Sequence, residues 1–138
     1  MRIILFVIGI VIFGSVAVAF IVFNKPHRSV EGEEAIIITS DKLFSAYETN
    51  EIEADQKYLD KVTEVTGVVT ATLKNQSDQF VIVLDADHPM FGVTCTTAEE
   101  IENINVGMVV TVKGICTGYL SDVVITNGII VKSKNTRP

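Results

Sequence analysis

The chain has 138 residues, a net charge of −6, 48% hydrophobic residues, two cysteines and no tryptophan. That length holds one small domain and an appended segment. Residues 31–138 carry all 17 acidic residues but only eight of the 11 basic ones, a net of −9. This excludes the basic footprint with which nucleic-acid binders neutralise phosphates, and it argues against docking on anionic lipid.

Residues 3–23 (IILFVIGIVIFGSVAVAFIVF) contain no charge. As a helix they would span ~30 Å, the thickness of a bilayer's hydrocarbon core. A buried soluble helix is seldom apolar all round for so long. A cleavable signal peptide is the stronger rival, because Ala17-Val18-Ala19 has the small-x-small pattern of a cleavage site. Cleavage there would leave Phe20 to Phe23 as an apolar new terminus, and the run exceeds the usual ~7–15 residue core of a signal. No cysteine lies near, which excludes a lipoprotein anchor. The expectation is an uncleaved transmembrane anchor over residues 1–23, in a single-pass protein of the cell membrane. Arg2 on one side and Lys25 and Arg28 on the other nearly balance the positive-inside rule. A two-residue tail before the apolar run favours a domain outside the cytoplasm.

Residues 24–38 include Pro26 and Gly32 and read as a polar linker. Residues 39–58 read as one helix. Thr39 or Ser40 caps it, Asp41 suits the positive end of its dipole, and Leu43, Tyr47, Ala54 and Tyr58 form an apolar stripe beside Phe44. From residue 59 to 132 the composition turns to valine, isoleucine and threonine, and five strands are predicted: 62–73, 80–85, 91–96, 108–117 and 123–132. A short helix over 97–107, capped by Thr97 and stopped by Gly107, separates the third from the fourth. Residues 118–122 turn the chain, and 133–138 form a frayed tail. This order, with Gly67 and Gly114 inside long strands, predicts an all-β five-stranded OB-fold barrel preceded by an amphipathic helix. The alternative is a small open sandwich.

Two stretches carry a family resemblance: ADQKYLDKVTEVTGVV (54–69) and VTVKGICTGYLSDVVITN (110–127). They resemble the tRNA-anticodon-like OB-fold family of small bacterial exported or membrane-anchored proteins, over roughly residues 40–132. The resemblance implies an OB barrel behind a helix and an anchor, and it brings no catalytic residue set. The family pattern has a further cysteine near the position of Gly128, which this chain lacks.

The period of two puts Val110, Val112, Gly114 and Cys116 on one strand face, opposite Lys113, and Phe91, Val93 and Cys95 on another. Both cysteines are therefore expected to point inward. They read as buried thiols, with a Cys95–Cys116 disulfide as the minority alternative, because the third and fourth strands of an OB barrel are not neighbours. A catalytic thiol is disfavoured, since no histidine is placed to activate one. Asp85, Asp87 and His88 crowd one loop but match neither an EF-hand nor a zinc pattern, and a solvated turn accounts for them. No metal or cofactor is expected.

OB-folds bind ligands on the second and third strands, between the first and fourth turns. The candidate ligand-binding residues are accordingly Lys74 and Asn75 in one turn and Tyr119, Leu120 and Asp122 in the other. Alternation assigns Phe80 and Phe91 to the core. The expected function is a non-catalytic binding module for a protein or envelope component. Two other classes are weighed: weak single-stranded nucleic-acid binding, and an enzyme using Cys116 or the Asp85/Asp87/His88 loop.

Overall fold

A computed structural model of the chain describes residues 14–19, 29–97 and 103–134. The expected anchor lies outside the described residues except for 14–19, which are helical and expose Val16 and Val18. Among the described residues no helix is long and apolar enough to cross a membrane. Of the predicted helix over 97–107, residues 98–102 fall outside them, whereas its expected cap, Thr97, ends a strand and residues 103–107 are turn rather than helix; most of the tail also lies outside.

The elements are β1 (Ile36–Thr39), α1 (Ser40–Thr49), α2 (Glu51–Tyr58), β2 (Val62–Lys74), β3 (Phe80–Asp85), β4 (Gly92–Thr97), β5 (Val109–Tyr119) and β6 (Val123–Lys134). The sheet order is β1-β2-β3-β4-β6-β5, and β5 pairs back onto β2. Strands β2 to β6 therefore close into a five-stranded barrel, which removes most of their free edges. All neighbours in the barrel are antiparallel except β4 and β6. This is the OB-fold connectivity, and closure decides against the open sandwich. A path of paired residues from Lys74 through Phe80 and Thr97 reaches β6 at Gly128, and the next residue, Ile129, pairs with Lys113 of β5, which returns to β2 at Glu64. That offset is the stagger a closed barrel of tilted strands requires.

The barrel fills with one face of each strand. Val65, Leu84, Val93, Val112 and Ile125 are fully buried. Leu43, Phe44 and Tyr47 of α1 join this core and close one end of the barrel. Ser40 donates to the carbonyl of Asp85, which draws the start of α1 onto β2 and β3. Gly67, expected as a bend, instead makes room for this approach: a Cβ there would meet the Ser40 hydroxyl. The bulge of β2 lies farther along, between Val69 and Ala71. Gly114 does sit at a shift of register, between Lys113 and Ile115.

The sequence reading needs correction at four places. Residues 36–39, expected as linker, form β1, parallel to β2. The linker ahead of it is docked as well. Val30 is buried against Val62 and Ile115, and Lys113 Nζ donates to the carbonyls of Glu31 (3.2 Å) and Glu33 (2.6 Å). The single helix over 39–58 is two helices. Asn50 ends α1 in an extended conformation and caps α2 by accepting from the Glu53 N–H at 3.3 Å. Asn with Glu three residues later is a helix-start signature that the longer apolar stripe obscured. Finally, β5 runs through Gly118 to Tyr119, so the turn to β6 is shorter than 118–122.

Candidate functional site

The outer face of β3, β4 and β6 occupies the position at which OB-folds take ligands. Val83, Thr94 and Val124 stand abreast on it, with Thr96 and Thr126 alongside, all partly exposed. Alternation forces this, because Leu84, Val93 and Val123, the next residues in register, are fully buried. These strand residues are uncharged, and the Asp122 carboxylate borders them at one edge, on the Thr94 hydroxyl.

One turn lies at each end of it. Asn75 holds the β2–β3 turn together: its Oδ1 accepts from the N–H groups of Ser77 (2.9 Å) and Gln79 (3.0 Å). Lys74 pairs with Asp78 at 3.2 Å and lies over the Phe80 ring at 4.6 Å. Phe80 is therefore not the core residue that alternation assigned. It is partly exposed at the start of β3 and lines a cleft of about 210 Å³ with Thr72, Lys74 and Ile104.

The β5–β6 turn is at the other end. Asp122 is a structural clamp: its Oδ1 accepts from the Gly92 N–H (2.8 Å) and its Oδ2 from the Thr94 hydroxyl (3.2 Å). Tyr119 stacks on Tyr47 with centroids 5.8 Å apart and meets the edge of Phe44. It covers the barrel end closed by α1. Leu120 is 90% exposed. Along β3 the level of Lys74 is at Phe80 and that of Tyr119 at Leu84. Four strand residues, or ~13 Å, separate them. The five candidate residues thus form two groups flanking the face, and they do not converge.

In the Asp85/Asp87/His88 loop, Asp85 and His88 brace the loop's own backbone, and His88 Nε2 faces Glu48 at 4.0 Å. Asp85 Oδ1 accepts from the Asp87 N–H, and His88 Nδ1 accepts from the N–H groups of Met90 and Phe91. The His88 ring stacks on Phe91 and tilts against Phe44. Phe91, expected inside, is 37% exposed, because β4 begins only at Gly92 and the period of two does not extend into the loop. Exposed Phe91 and Met90 therefore lie at the same end of the barrel as Leu120, their two loops joined through the Gly92–Asp122 hydrogen bond. The spacing rule hid this group, since it treated residue 91 as strand.

Cys95 and Cys116 are free, fully buried thiols on strands that flank β6, and both pair with Ile125. Two strand spacings, ~10 Å, exceed the ~7 Å Cα separation that a disulfide tolerates. Burial pushes both thiols above their ordinary value, and the Tyr47 hydroxyl lies 3.4 Å from the Cys116 sulfur. Raised thiols hold little thiolate, which is the opposite of an activated nucleophile. A separate groove of about 480 Å³ lies between α1 and α2, lined by Asp41, Ser45, Asn50, Glu53 and Lys57. It is remote from the strand face.

No curated protein matches the chain. A family profile matches residues 1–130, a span that takes in the apolar N-terminal segment, both helices and the barrel. With the closed five-stranded barrel, that match establishes that the chain belongs to the tRNA_anti-like family.

Proposed function

We propose that the protein is a membrane-anchored OB-fold interaction module that works without catalysis and holds a protein or other envelope component on its strand face. The observation that carries this reading is the run of uncharged strand residues, Val83, Thr94 and Val124, between two turns. A neutral partner can cover these residues, and the Asp122 carboxylate at their edge already accepts from Gly92 and Thr94. A nucleic-acid backbone asks for a cationic groove and stacking platforms. Lys74, which borders this face, is already paired with Asp78, and Lys132 and Lys134 lie farther along β6, beyond its last pairing with β4 at Gly128. Tyr119 spends one ring face on Tyr47. The uncharged run at residues 3–23 supports a single-pass anchor, with the barrel outside the cytoplasm.

Two experiments test it. A benzophenone amino acid placed at Thr94 in the full-length protein in native membranes is expected to give a discrete adduct, whereas the same probe at Glu51 on α2 gives none. Labelled single-stranded oligonucleotides are expected not to bind the detergent-purified protein saturably at physiological salt. Saturable binding with a steep salt slope would overturn the reading in favour of the nucleic-acid alternative.

A further inference from the structure

We infer that the loop tips formed by Met90, Phe91 and Leu120 rest in the interfacial layer of the bilayer that anchors the chain, and so set how the barrel stands on the membrane. This rests on the anchor proposed above and names the surface that meets the lipid.

Met90 is 77% and Leu120 90% exposed, and Phe91, next to Met90 in the chain, is 37% exposed. The two loops are held as one surface: Asp122 takes the Gly92 N–H and the Thr94 hydroxyl, and His88 takes the N–H groups of Met90 and Phe91. Aromatic packing from Phe91 through His88 and Phe44 to Tyr119 supports it from beneath. Large apolar side chains presented on a braced surface are what a shallow interfacial contact requires.

The length of the chain says what covers them. From Phe23, the last residue of the apolar run, to Ser29 there are six residue steps, at most ~20 Å of chain. The chain is clamped immediately afterwards, by burial of Val30 against Val62 and Ile115 and by Lys113 on the carbonyls of Glu31 and Glu33. Leu120 lies five residues beyond Ile115, or ~17 Å along the strand direction. An anchored barrel is therefore held close enough for this tip to touch the bilayer. The ionisable groups around the tip are Asp85, Asp87, His88, Asp122 and, facing His88 at 4.0 Å, Glu48, so the matching surface is zwitterionic rather than anionic lipid.

The test uses the full chain reconstituted in phosphatidylcholine vesicles. An environment-sensitive dye is attached to Leu120→Cys, to Met90→Cys, or to Ser77→Cys in the β2–β3 turn. The native thiols are buried, and the parent chain checks that they stay unlabelled. The expected result is a blue shift, and loss of most emission to spin-labelled phosphatidylcholine, at residues 120 and 90, with neither at 77. Flotation with the vesicles after alkaline washing reads the anchor separately. Protein that floats but shows no quenching at 120 and 90 overturns this inference and leaves the anchor standing. Protein that does not float overturns both. A blue shift that grows with protein-to-lipid ratio without lipid quenching assigns the tip to contact between copies and also overturns it.

Discussion

Replacing Asp122 separates a structural clamp from a ligand-binding residue. In Asp122→Ala the Gly92 N–H, on a buried residue, and the Thr94 hydroxyl both lose their acceptor. A hydrogen bond to a charged group contributes roughly 1.5–3 kcal/mol, and an unsatisfied buried donor costs about as much. Asp122 is itself partly exposed and water can replace the bond to Thr94, so the expected loss is about 2 kcal/mol rather than the sum of two full bonds. For a domain of this size that lowers the Tm by roughly 10 °C. Asp122→Asn keeps the Oδ1 acceptor for Gly92 and offers Thr94 a donor, so it should lose about half as much or less. The assay is thermal unfolding of the detergent-purified protein followed by circular dichroism, beside crosslinking from Thr94. If Asp122→Ala unfolds at the parent temperature but loses the adduct, Asp122 serves the ligand and the clamp reasoning is wrong.

Four further outcomes are expected. The raised thiols bind protons in the folded state that the unfolded chain releases, so stability is full below about pH 9 and falls as pH rises beyond it, by up to about 1.4 kcal/mol per pH unit for each fully shifted group. Urea unfolding between pH 8 and 10 should show this slope and Cys95→Ala should reduce it; a flat profile in the parent contradicts the burial argument. Gly114→Ala should cost about 1–3 kcal/mol, because its Cβ would meet Ile125 Cγ2 at 2.5 Å and the Thr126 carbonyl at 2.8 Å. Parent-like denaturant unfolding would mean β6 yields freely. Lys113→Met should free the segment before β1 and speed cleavage by a glutamate-specific protease at Glu31 and Glu33, while the barrel loses about 1 kcal/mol; unchanged cleavage would show the clamp is not what holds that segment. A phosphatase fused after Pro138 is expected to be active if the domain lies outside the cytoplasm, and an inactive but intact fusion reverses the orientation.

Much of the architecture is local, and local features can be read from the chain. Strand alternation is a short-range property, so the inward placement of Val93, Cys95, Val110, Val112 and Cys116 was visible in the order of residues, as were the limits of β3. The uncharged run at the start and the acidity of the remainder are equally direct. The fold class followed from the order and lengths of the strands, because five short strands need closure to lose their edges. Asn75 and Leu120 to Asp122 were located as turn residues through their punctuation, whereas Lys74 and Tyr119 prove to be the last residues of β2 and β5.

What those turns do is not local. Asp122 becomes a clamp because closure brings β4 beside β6 in parallel, a pairing between distant residues that no spacing encodes. The barrel's stagger separates Lys74 from Tyr119, and it sets Cys95 and Cys116 on either side of Ile125. Residues 36–39 become a strand because β2 offers an unpaired edge there, and a tetrapeptide has too few residues to announce itself. Phe91 leaves the core because pairing starts one residue later. The sequence by itself determined which side chains face in or out along each strand and the likeness to a family. Only the closed barrel decided which of the outward ones meet, because that depends on register summed around five strands.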